Sequence, residues 1–114
     1  MDVVKFQARL REFVEARDWG QFHTPKNLAM ALSVEASELA EIFQWMTEEQ
    51  SRLSPSSNDF AHVREEIADV MIYLLRISDV LGIDVSEAVE AKIAANARKY
   101  PVDRSRGSVA KRQQ

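Results

Sequence analysis

Apolar residues recur every three or four positions along four separate stretches of this 114-residue chain, a period that selects helices over strands. Over about 2–17 the series is Val3, Phe6, Leu10, Phe13 and Val14. The segment 18–24 breaks it at Gly20, and Thr24 followed by Pro25 then supplies a hydroxyl N-cap and a first-turn proline. The second predicted helix runs to about Met46. A polar connection, 47–58, leads to a third helix over about 59–81 that stops at Gly82. Asp84 caps a fourth, with Glu87 three residues on as in a capping box, and Pro101 ends it. Three Gly and three Pro in the whole chain leave little turn chemistry for a β fold. The expected class is therefore all-α: a four-helix bundle in one domain, 1–101, followed by a basic, flexible tail, 102–114.

Composition removes several chemistries. There is no cysteine, which excludes disulfides, thiol nucleophiles, zinc–thiolate sites and iron–sulfur clusters, and two histidines make a poor basis for a zinc site. No apolar run approaches the ~20 residues needed to span a membrane. The first residues mix charge with apolar side chains, unlike a signal peptide, so the expected location is the cytoplasm. Residues 1–97 carry a net charge of −8 and residues 98–114 a net charge of +5. An acidic body argues against binding a nucleic acid polymer across a whole face. Two readings of the basic end stand side by side: a solvated terminus, or an arm that approaches an anionic ligand held by the body.

The second helix contains an anomaly. Its stripe is Leu28, Leu32, Leu39, Ile42 and Met46, and the missing member of that series is Glu35. At about 100° per residue, Glu35 points within roughly 30° of the stripe centre, and Glu38 lies about 60° further round. An ionised, unpaired carboxylate on an apolar stripe is strongly unfavourable, and two together repel. Pairing with Arg or Lys is one resolution. A solvated face is another, and it suits Glu41, which lies further round the helix.

The third helix repeats the pattern. Its stripe is Val63, Ile67, Val70, Met71, Leu74, Ile77 and Leu81, with Glu66 and Asp69 spaced i, i+3 along one edge and Tyr73 a turn later. Alone, such a pair reads as solvated surface. With Glu35 and Glu38 it allows four carboxylates to converge between two packed helices. Hard divalent cations with oxygen ligands, Mg²⁺ with Mn²⁺ as a substitute, resolve the resulting repulsion, and Mg²⁺ commonly bridges to substrate phosphates. Trp19 and His23 precede the second helix and Trp45 ends it, which is either core packing or a stacking slot for a base. On the fourth helix Lys92 and Asn96 are i, i+4 neighbours, followed by Arg98, Lys99 and Tyr100. Neither a Walker A loop nor GxGxxG is present, which excludes P-loop and Rossmann nucleotide sites.

The arrangement Glu35-x-x-Glu38, 27 residues, Glu66-x-x-Asp69 resembles the metal signature of the MazG-type, all-α nucleoside triphosphate pyrophosphohydrolases. The segments FHTPKNLAMALSVEASELAEIFQW (22–45), EEIADVMIYLL (65–75) and KIAANARKYPVDRSRGS (92–108) are similar to the dCTP pyrophosphatase branch of that family. The resemblance implies Mg²⁺ ligands at Glu35, Glu38, Glu66 and Asp69, and a nucleoside pocket at Trp19, His23, Trp45 and Tyr73. It implies contacts to phosphate and sugar from Lys92, Asn96 and Tyr100. It further implies hydrolysis of dCTP or a 5-modified dCTP to the monophosphate and pyrophosphate, by a homo-oligomer, a tetramer built as a dimer of dimers. Glu38, or else Glu35, would orient or deprotonate the attacking water. Two alternatives stay open: a broader (d)NTP pyrophosphohydrolase, and a non-enzymatic helical oligomer or binding module whose acids are only surface.

Overall fold

A computed structural model describes residues 1–107. The elements are α1 (Val3–Ala16), a 3₁₀ turn (Gly20–Phe22), α2 (Pro25–Phe43), α3 (Asn58–Leu81), α4 (Val85–Lys99) and a single-turn α5 (Val102–Ser105). Among the described residues there is no strand, and the all-α class holds. Each long helix starts at a residue whose side chain accepts a backbone N–H three positions on. Asp2 accepts from Lys5, Thr24 from Asn27, Ser57 from Phe60 and Asp84 from Glu87. Gly82, at φ +69°, takes the left-handed conformation that closes α3.

The second helix is shorter than its apolar period suggests. It ends at Phe43, and Met46 N–H donates to the Phe43 carbonyl at 2.9 Å, an i, i+3 turn that stops the helical ladder. Just beyond, Thr47 N–H donates to Gln50 Oε1 at 2.9 Å while Gln50 N–H donates to Thr47 Oγ1 at 3.1 Å. This reciprocal pair has the chemistry of a capping box and opens a new turn. Trp45 and Met46 therefore lie beyond α2 rather than on its last turn, and Trp45 is 89% exposed.

The chain divides into two units, Met1–Gly82 and a second beginning at Ile83. In the first, α3 packs against both α2 and α1. Val14 of α1, Leu28 of α2 and Leu75 of α3 are its buried apolar side chains. Polar contacts join α1 to α3. Gln7 Nε2 donates to Ser78 Oγ at 3.0 Å, and Arg11 grips both Asp79 oxygens, at 3.0 and 2.6 Å. The second unit contains α4 and α5. Of the sequence 102–114 expected to form a tail, Val102–Ser105 makes a helical turn, and 108–114 lie outside the described residues.

The buried face of α3 differs from its apolar stripe. Ile67 is 51% exposed and Leu74 42%, and Met71 and Leu81 are exposed as well, whereas Glu66 keeps only 7% of its surface. The helix turns its acidic edge inward and leaves an apolar face uncovered. Packing α3 between two helices of one chain covers only part of its circumference, and the carboxylates occupy part of the covered face.

Candidate active site

Glu35 and Glu38 project from successive turns of α2, and Glu66 projects from α3. One carboxylate oxygen from each lies within 4.8 Å of the other two. Glu35 is half-buried, Glu38 exposed and Glu66 buried. Glu35 Oε2 and Glu66 Oε2 are shielded from solvent and have no hydrogen-bond donor. His62, one turn before Glu66, places Nε2 3.7 Å from Glu66 Oε1.

Ionised carboxylates are acceptors only, so none of the three can satisfy another while all are charged. Glu35 is accordingly pushed up to about 7, first by burial, then by the adjacent Glu66 carboxyl and by the charge of Glu38, with Asp69 adding to it. Buried acceptors without donors and a proton held near neutral pH describe a site that lacks positive charge. A hard divalent cation fits this donor set, which is all oxygen.

The sign of the pH effect follows. A carboxyl whose folded pKa is raised supports the fold below its ordinary value of 4.5, and that support is lost as pH rises through about 7. A divalent cation bound at this cluster would replace the proton. The gain in melting temperature on adding Mg²⁺ should therefore be small at pH 5 and grow toward pH 8. Thermal melts with and without Mg²⁺ across that range measure it, and a pH-independent gain would contradict the assignment.

A cleft of about 320 Å³ opens beside the cluster. Glu35 and Asp69 form its acidic side, and Trp19, His23, Tyr73 and Arg76 line it together with apolar side chains of α1 and α3. Trp19 meets Phe13 edge to face, ring centres 5.8 Å apart. The Arg17 guanidinium sits 3.6 Å from the Phe13 ring centre. A second depression, about 350 Å³, lies against Glu38 and Glu66 and is lined as well by Glu41, Ile42, Asp59 and His62.

Of the predicted site residues, the structure brings Glu35, Glu38 and Glu66 into one cluster. Asp69 is half-buried on the adjoining cleft, which Trp19, His23 and Tyr73 also line. Trp45 does not line that cleft. Lys92 and Asn96 are exposed on α4, and Tyr100 caps its C-terminus, with its N–H on the Asn96 carbonyl at 2.8 Å; all three belong to the second unit. Arg76, His62 and Asp59 escaped the sequence reading. Arg76 carried a signal, a cation inside the run Leu74-Leu75-Arg76-Ile77, and His62 stands i−4 to Glu66.

Residues 30–113 match the model of the MazG-like family. The chain belongs to this family. It is 44% identical over 101 residues to dCTP pyrophosphatase 1 of Bos taurus, covering 88% of this chain and 60% of that protein. It is 43% identical over 98 residues to dCTP pyrophosphatase 1 of Homo sapiens, covering 85% of this chain and 58% of that one. The chain thus spans about three fifths of the length of these relatives. Among solved structures, a pyrophosphatase from Archaeoglobus fulgidus superposes with a TM-score of 0.80 at 44% identity, covering 89% of this chain and 94% of that one. The all-α fold of this MazG-like chain is thereby shared with a solved relative. No helix among its described residues is long and apolar enough to cross a membrane.

Proposed function

We propose that this MazG-like protein is a Mg²⁺-dependent nucleoside triphosphate pyrophosphohydrolase, with Mn²⁺ as a substitute metal. It converts dCTP or a 5-modified dCTP to the monophosphate and pyrophosphate, a house-cleaning reaction of the nucleotide pool. The observation that carries the reading is the three-glutamate cluster with unpartnered buried oxygens, set beside an aromatic cleft. The likeness to dCTP pyrophosphatase 1 supports the choice of substrate.

Glu35, Glu38, Glu66 and Asp69 would hold the metal. When bound, Mg²⁺ supplies charge neutralisation for the triphosphate and acidifies coordinated water. Glu38 would accept the proton of the attacking water, a role its exposure in the cluster supports. The water oxygen bonds to phosphorus, the anhydride bond between the first and second phosphates breaks, and pyrophosphate leaves. Trp19 and Tyr73 give the base aromatic faces, with His23 at the same cleft. Trp45 belongs to the same proposed pocket through the resemblance alone. Lys92, Asn96 and Tyr100 contact phosphates and sugar in this reading.

The assembly is a homo-oligomer, a tetramer arranged as a dimer of dimers. The uncovered apolar residues of α1 and α3, among them Phe6, Phe13, Ile67 and Met71, support this. A cytoplasmic location, where nucleoside triphosphates are used, completes the reading.

The deciding experiment is a panel of dCTP, 5-methyl-dCTP, dUTP and dGTP with Mg²⁺, scored for pyrophosphate against orthophosphate. Preference for dCTP or its 5-methyl form is expected, with pyrophosphate the sole inorganic product. Equal rates across the panel would point to a broader pyrophosphohydrolase. No release from any nucleotide would leave the non-enzymatic reading.

A further inference from the structure

The buried guanidinium of Arg76 makes contacts that the carboxylate chemistry does not require. Arg76 is 6% exposed. Its Nε donates to His23 Nδ1 at 3.3 Å and its Nη1 to Asp79 Oδ2 at 3.3 Å. Asp79 is held in turn by Arg11 of α1, through Nε at 3.0 Å and Nη2 at 2.6 Å. A chain of contacts thus runs from α1 through α3 to the turn before α2, and ends on an imidazole that lines the cleft. The backbone of His23 is also held, its N–H on the Gly20 carbonyl at 3.1 Å.

A guanidinium has donors only, so Nδ1 of His23 must be the acceptor, and the ring proton must sit on Nε2. Protonation of Nδ1 would destroy this bond and set two cations side by side. We infer that Arg76, braced by Asp79, is a positioning residue that presents His23 to the cleft as an uncharged hydrogen-bond donor through Nε2. The remaining charged or titratable side chains on this cleft are Glu35 of α2 and Asp69 and Tyr73 of α3, while α1 contributes only Leu10, Phe13 and Val14. Burial, and then Arg76, hold His23 below its ordinary value, which agrees with the geometry.

A neutral N–H can donate to a carbonyl or to a phosphate, and the aromatic lining of this cleft with Glu35 and Asp69 on its acidic side favours a base over a triphosphate. His23 therefore reads a carbonyl oxygen of the base, which cytosine carries and adenine lacks. Arg76 has Nε and Nη1 committed to His23 and Asp79, which fixes the guanidinium plane against the imidazole. The inference rests on the hydrolase reading for its substrate but not for the state of the imidazole.

Nitrogen NMR of the nucleotide-free protein tests it. The chain has two histidines, and comparison with His62→Gln assigns their signals. The expected result is a neutral Nε2–H tautomer for His23 at pH 7, with a titration midpoint below that of a free imidazole. In Arg76→Met the midpoint should move up toward the ordinary value and the tautomers should mix. KM for dCTP should then rise about tenfold while kcat stays nearly constant, the signature of lost ground-state binding. An Nδ1–H tautomer or an imidazolium at pH 7 in the unaltered protein overturns the inference whether or not the variant folds. An unchanged imidazole in folded Arg76→Met overturns it as well. Because this readout uses no nucleotide, its failure is separate from that of the hydrolase reading, which fails if the imidazole behaves as expected but no nucleotide is hydrolysed.

Discussion

Glu38→Gln should lower kcat for pyrophosphate release by about 10²–10⁴-fold, the range typical of a lost general base. The side chain keeps its size and its capacity to accept a hydrogen bond, but it no longer takes a proton from water. Glu38 is the exposed member of the cluster, whereas Glu66 is buried and Glu35 half-buried, so water reaches Glu38 most directly. The metal-free protein should not lose stability, because the substitution removes a charge that repels Glu35. These two readouts separate chemistry from folding. Activity within tenfold of the unaltered protein, measured at saturating Mg²⁺ and dCTP, would remove Glu38 from the proton-transfer role.

The second large effect concerns assembly. Ile67→Glu should dissociate the proposed oligomer into chains of 13.0 kDa, read by light scattering during gel filtration. Ile67 is 51% exposed in the single chain. If that face stayed in water, a charge there would change stability by no more than about 0.5 kcal/mol. If a second copy covers it, the new carboxylate is desolvated without a partner, which is strongly destabilising to the interface. Leu74→Glu, seven residues on along the same uncovered face and 42% exposed, is the second variant. Retention of the oligomer by both variants would place the interface elsewhere, and a mass of 13.0 kDa for the unaltered protein would make it a monomer.

The helices were legible because their signals are local. Asp2, Thr24, Ser57 and Asp84 cap the four long helices through contacts three residues apart, and Gly82 supplies a left-handed stop. The end of α2 was not read correctly: the apolar period through Ile42 and Met46 pointed past it, and the structure shows the Thr47–Gln50 pair opening a new turn there. The period reports which positions are apolar. It does not report where the backbone ladder gives way to a competing cap. Trp45, expected at the end of the second helix, consequently lies beyond it.

Glu35 was visible as a site residue because it breaks an apolar stripe, a conflict present in one helix alone. Glu66 was less so, since an acid on a helix edge is ordinary until its neighbour is known. Arg76 and Asp79 gained their roles only through partners distant in the chain: Arg76 lies 53 residues from His23, and Asp79 lies 68 from Arg11. Local order therefore decided the helical class, the caps and the presence of carboxylate pairs, because hydrogen bonds within a helix span three or four residues. Tertiary packing decided which edge of α3 faces inward, that Glu66 joins Glu35 and Glu38, and that an arginine fixes the proton of a histidine. Those outcomes depend on surfaces that meet only when separate helices come together.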